Sequence, residues 1–149
     1  MSDESVYYFD NNATTRVAPE VLEAMLPFLT EQFGNAASRH HSVGRDAAAA
    51  VQTAREQVAS VIKANPREIL WTSGATESNN LALLGVAQSP IYKKQHIVTV
   101  ATEHRAVLDP CDALERNGFD VTYLGVDTDG LLDLDRLTAA ITDRTLLVS

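Results

Sequence analysis

Apolar positions along this chain follow two different rhythms. From Pro19 to about Gln32, residues Leu22, Met25, Leu26 and Leu29 recur three and four apart, which predicts one face of a helix. Pro19 suits the first turn of that helix, where a missing N–H costs nothing, and Gly34-Asn35 is expected to end it. A loop from Ala36 to Ser42 leads to a second, longer helix carrying Val51, Ala54, Val58, Val61 and Ile62, with a break at Asn65-Pro66. Short extended runs are expected at Tyr7–Asp10 and at 68–72. From there strands and helices alternate: a helix at 76–87, a β-branched strand at 96–101, a helix opened by Asp109 and Pro110, a strand at 119–125, a helix from Leu134 to Ile141 capped by Asp133, and a last strand at Thr145–Val148.

This alternation predicts an α/β fold, with a mostly parallel sheet and helices on both faces. In such sheets ligands sit beyond the carboxyl ends of the strands. Two loops are expected to leave from that rim, one at Ser73 and one at Thr102-Glu103-His104. The chain stops at what reads as the end of a parallel strand, so the expectation is a piece of something longer.

Composition narrows the classes. Of 149 residues, 45% are hydrophobic and 21% charged, an ordinary globular balance. No apolar run reaches the roughly 20 residues that span a bilayer. The start, Met1-Ser2-Asp3-Glu4, lacks the pattern of a signal peptide, and the expected location is the cytoplasm. A net charge of −8 argues against nucleic-acid or anionic-membrane partners. The single cysteine, Cys111, allows no intrachain disulfide. Its spacing to Val107 and Leu114 makes it a packing residue, not a thiolate.

The segment Thr72-Ser73-Gly74-Ala75-Thr76-Glu77-Ser78 is the strongest chemical signal. An extended run turning through Gly and small hydroxyl residues into a helix aims free N–H groups at one spot, with the positive end of the helix dipole behind them. Gly74, Ala75 and Thr76 would form the cup, helped by the hydroxyl of Ser73 or Thr76. The same residues also make a well-capped helix start. No Walker motif and no Gly-x-Gly-x-x-Gly is present, which disfavours ATP and NAD. His104 offers a ring that can stack and move a proton near neutrality, or simply a satisfied loop histidine. Arg39-His40-His41 has no third partner at metal-binding spacing, so no metal site is expected. Asp10 to Thr15 reads either as a substrate-facing loop or as a turn.

Four motifs in order resemble one family. Tyr8-Phe9-Asp10-Asn11-Asn12-Ala13-Thr14-Thr15, Phe33-Gly34-Asn35-Ala36-Ala37-Ser38, Thr72 to Asn80, and Thr102-Glu103-His104 are similar to the start of a NifS-like cysteine desulfurase, a class V aminotransferase-type pyridoxal phosphate enzyme. One departure is Ala36, where the family usually has Pro. The resemblance implies the N-terminal part of a type I pyridoxal phosphate fold, like that of aspartate aminotransferase. Residues 1–15 would belong to the small domain, and 16–149 would begin the large cofactor-binding domain. It implies pyridoxal 5'-phosphate held by Gly74, Ala75 and Thr76, with His104 stacked on the cofactor ring as a catalytic proton carrier. Asn12, Ala13 and Asn35 would lie on the substrate side.

The implied reaction moves sulfur from L-cysteine to an enzyme cysteine as a persulfide, releasing alanine. The implied assembly is a homodimer serving a sulfur acceptor or iron–sulfur scaffold protein. The family's cofactor-bonding lysine, in a Ser-x-His-Lys motif, and its persulfide cysteine have no counterpart here: Lys63, Lys93, Lys94 and Cys111 do not match them. The 149 residues alone are therefore expected to be inactive. A selenocysteine lyase, another class V enzyme or a non-enzymatic split subunit are the alternatives.

Overall fold

The computed structural model describes residues 7–149. They form two compact units, one up to Leu70 and one from Trp71.

The first unit is helical. Helix α1 spans Pro19–Thr30 and α2 spans Ser42–Ile62. A single 3-10 turn, Pro66–Glu68, follows. Helix α1 ends before Gly34, so this glycine does not terminate it as expected. Its place is set by packing. A Cβ on Gly34 would lie 2.2 Å from the Val43 carbonyl oxygen, and one on Gly44 would lie 1.8 Å from that of Ser38. The two glycines let the loop at 34–38 press against the start of α2.

Neither strand expected in this part of the chain forms. Residues 7–10 are irregular, with Tyr7 79% and Phe9 87% exposed. At 68–72 the backbone groups go elsewhere. The Glu68 amide donates to the Asn65 carbonyl at 2.8 Å, the Ile69 amide donates to the Pro66 carbonyl at 3.3 Å, and the Arg55 guanidinium donates to the Ile69 carbonyl. A strand needs a ladder partner for its N–H and C=O groups, and the described residues of this unit contain no other strand.

The second unit is the α/β part. Its elements are α3 (Ala75–Ala87), β1 (His96–Val100), α4 (Arg105–Arg116), β2 (Asp120–Leu124), α5 (Leu134–Ala140) and β3 (Thr145–Val148). The three strands form a parallel sheet in the order β2-β1-β3. The central strand is buried on both sides, with Ile97 at 1%, Val98 at 0% and Thr99 at 1% exposure, so its sequence does not alternate between buried apolar and exposed polar residues. Leu83 of α3, Ile97 of β1, and Val107, Cys111 and Leu114 of α4 form the core. At the start of β1, the buried ring of His96 meets the hydroxyl of Thr145 through Nδ1 and that of Thr122 through Nε2, both at 2.9 Å. One side chain thus ties the central strand to both neighbours.

Helix α4 corrects the expected start at Asp109. It begins five residues earlier, at Arg105, capped by His104 instead of Asp109, and Pro110 lies inside it. Asp133 caps α5 as expected, accepting from Asp135 N at 2.9 Å and Arg136 N at 3.1 Å.

Candidate functional site

The site is built on the N-terminal ends of α3 and α4. Gly74 is the N-cap of α3, nearly extended at φ 159° and ψ −175°, and no side chain caps the helix there. A Cβ at Gly74 would meet nothing within 4 Å, so the space over the turn is open. The first-turn amides, which include those of Ala75 and Thr76, have no carbonyl one turn back to accept from them.

The residues before Gly74 are committed. Both the amide and the hydroxyl of Ser73 donate to Glu77 Oε2, at 2.6 and 2.7 Å. The Thr72 hydroxyl pairs with the Ser78 hydroxyl at 2.7 Å and donates to the Gly74 carbonyl at 3.2 Å. These bonds hold the Glu77 carboxyl below its ordinary pKa, the Ser73 amide contributing most and the Ser73 hydroxyl next. The Ser73 hydroxyl is spent on Glu77, which leaves Thr76 as the hydroxyl-bearing residue on the cleft.

That cleft, of about 400 Å³, runs between α3 and α4. Thr76, Asn80 and Leu84 line it from α3; His104, Arg105, Ala106, Asp109, Pro110 and Ala113 line it from α4. Thr76 and His104, some thirty residues apart, therefore share one cleft. Thr76, Asn80 and Leu84 are four apart, and Ala106, Asp109 or Pro110, and Ala113 recur at three to four, so each helix presents one face. Asn80 donates from Nδ2 to the Thr76 carbonyl at 2.8 Å, and Arg105 pairs with Asp109 at 3.4 Å on the exposed rim. Asn80, Arg105 and Asp109 were not singled out as site residues from sequence; their spacing from Thr76 and His104 was the signal available.

His104 does more than face the cleft. Its Nδ1 accepts the Ala106 amide at 3.0 Å and so caps α4. That bond needs a lone pair on Nδ1, which puts the proton of the neutral ring on Nε2. Protonating Nδ1 would break the cap. His41 repeats the device at α2, its Nδ1 accepting from Gly44 N at 3.1 Å.

Asn12, Ala13 and Asn35 belong to the first unit and do not line the cleft. Asn12 and Ala13 lie in an exposed turn, with Ala13 N donating to the Asp10 carbonyl at 3.2 Å. Asn35 Oδ1 accepts from Ala37 N at 2.9 Å inside the glycine-clamped loop. Among the described residues no group of three or more His, Cys, Asp or Glu could hold a metal ion. No lysine or cysteine lines the cleft. Cys111 is buried, and burial foremost, with Asp112 nearby, pushes its thiol up, so it stays protonated.

The sequence profile of the family described as "Aminotransferase class-V" matches residues 7–149. The chain belongs to the class-V aminotransferase family. Within it, the chain is 56% identical over 142 residues to the cysteine desulfurase IscS of Methylococcus capsulatus, covering 95% of this chain and 35% of that protein. It is 55% identical to the mitochondrial cysteine desulfurase of Drosophila melanogaster, covering 95% of this chain and 31% of the relative. The chain thus spans about a third of the length of the curated relatives it matches. Among solved structures, a NifS-like protein superposes with a TM-score of 0.82 at 43% identity, over 95% of this chain and 38% of the other. A structure titled "SspA in complex with cysteine" gives 0.80 at 42% identity, over 96% and 41%. The α/β class expected from sequence is the class of this family.

Proposed function

We propose that this class-V chain carries the cofactor-holding part of a pyridoxal 5'-phosphate-dependent cysteine desulfurase. The observation that carries the reading is the α3–α4 cleft, lined on one wall by Thr76 from the first turn of α3, which no side chain caps, and on the other by His104. The donor set fits the group. Backbone amides and a threonine at a helix N-terminus suit a phosphate dianion, and an imidazole suits a flat heteroaromatic ring. The cofactor, when bound, supplies an electron sink.

In this reading Gly74, Ala75 and Thr76 hold the phosphate through their amides and the Thr76 hydroxyl. The capped His104 presents its ring to the cofactor with a fixed orientation. The Nδ1 cap leaves Nε2–H as its outward group, so stacking and donation are its natural roles and proton uptake requires breaking the cap. Asn12, Ala13 and Asn35 are assigned to the substrate side. Residues 1–15 are assigned to the small domain and 16–149 to the start of the large one. The cleft's lining lacks lysine and thiol, so covalent capture of the cofactor and attack on sulfur fall to other parts of the intact enzyme. The reading carries with it L-cysteine as substrate, a homodimer, a sulfur acceptor or iron–sulfur scaffold partner, and a cytoplasmic setting. No helix among the described residues is long and apolar enough to cross a membrane.

The test is alanine release by the intact protein loaded with pyridoxal 5'-phosphate, with cysteine and selenocysteine as competing substrates. Cysteine-dependent alanine together with protein-bound persulfide is the expected result. Turnover of selenocysteine alone would move the assignment to a selenocysteine lyase, and turnover of neither would remove it.

A further inference from the structure

The unusual feature of the cradle is the carboxylate beside it. Glu77 sits in the first turn of α3, where a carboxylate suits the helix dipole but, left free, would compete with a bound dianion for the same amides. Its oxygen Oε2 is occupied by the amide and hydroxyl of Ser73, at 2.6 and 2.7 Å. On the next residue of the same turn, Ser78 holds Thr72. Thus both residues before Gly74 are pinned by side chains from the helix that follows. Gly74 has no Cβ to restrict its torsions and nothing packed over it, so without such pins the peptide before the helix could rotate freely.

We propose that Glu77 is a positioning residue for the phosphate of the cofactor: by taking both donors of Ser73 it locks the turn, so that Gly74, Ala75 and Thr76 present their amides together. This rests on the cofactor reading above and adds a residue and a role to it. Two consequences follow. Ser73 is not a phosphate ligand, because its hydroxyl and amide are already donated. The negative charge of Glu77 is tolerated because two charge-assisted bonds hold it on the Ser73 side of the turn.

The experiment compares pyridoxine 5'-phosphate with pyridoxine on the intact apo-protein by calorimetry. Neither has an aldehyde, so neither needs a lysine, and the ratio of their affinities isolates the phosphate. Glu77→Ala is expected to lower that ratio about tenfold, the size of one phosphate–amide bond lost from the cradle, while pyridoxine binds within about twofold of the wild type. Glu77→Gln keeps an acceptor oxygen for Ser73 and is expected to lower it about threefold; it also carries the test if the alanine variant does not fold. A ratio that stays constant or rises in the variants overturns the proposal, since freeing Ser73 would raise it if Ser73 were itself a ligand. Equal loss for both ligands overturns it too, by making Glu77 a merely structural residue. A wild-type protein that binds the two ligands equally removes the cofactor reading, and this role of Glu77 with it.

Discussion

At the residue scale, His104 both lines the α3–α4 cleft and caps α4. A plain alanine substitution would confuse these roles, because losing a cap costs about 0.5–2 kcal/mol by itself. Asparagine separates them: it is among the best N-caps but has no aromatic ring. His104→Asn is expected to keep the thermal midpoint within a few degrees of wild type and, on the proposed function, to lower cysteine-dependent alanine release by the intact protein at least about tenfold. His104→Ala should lose both. Thermal melts beside steady-state rates check this, and full turnover in the asparagine variant would reduce His104 to a cap. Sequence reasoning found His104 but not its cap, because histidine is not among the usual capping residues. The same blind spot displaced the start of α4 to Asp109-Pro110, where a good capping residue precedes a proline.

At the element scale, helices were legible wherever hydrophobic spacing was long and regular. Helices α1, α2, α3 and α5 lie close to their predicted spans. The two unformed strands share a physical cause. Strand formation at 7–10 and 68–72 depends on a neighbour's backbone, which no local pattern reveals. At 68–72, the capping box at Asn65 and the Arg55 bond to Ile69 take backbone groups of the turn instead. Gly34 does not stop a helix; it and Gly44 permit close backbone approach. Gly44→Ala therefore places a methyl against the Ser38 carbonyl, which a backbone atom cannot relieve by changing rotamer. Destabilisation of about 1–3 kcal/mol is expected in urea melts, with loss of protection at amides 34–38 in hydrogen exchange. An unchanged melt would mean that the loop moves aside freely.

At the scale of the whole molecule, the two units differ in how much they bury. The second has a continuous core around Ile97, Cys111 and Leu114. The first fully buries only Gly44 and Ala59 among its described residues, and Leu22, Met25, Leu26 and Leu29 of α1 stay about half or more exposed. The amphipathic face of α1 is real in sequence, but nothing among the described residues covers it. In the second unit, the His96 ring links all three strands. His96→Ala leaves a cavity and two hydroxyls without their partner, for an expected loss of roughly 2–4 kcal/mol. Chemical denaturation of the intact protein checks this, and a loss under about 1 kcal/mol would mean that water replaces the ring without penalty.

The amino-acid sequence by itself determined helices α1, α2, α3 and α5 and the turn into α3 at Gly74, because their apolar spacing and end signals lie within a few positions of one another, and it marked the β-branched runs of the second unit. Only the tertiary structure decided that Thr76 and His104 face the same cleft, that Glu77 engages Ser73 while Asn80 holds the Thr76 carbonyl, and that His96 joins three strands. Those outcomes depend on where side chains point once the helices are packed and the strands are in register, and spacing along the chain does not encode that direction.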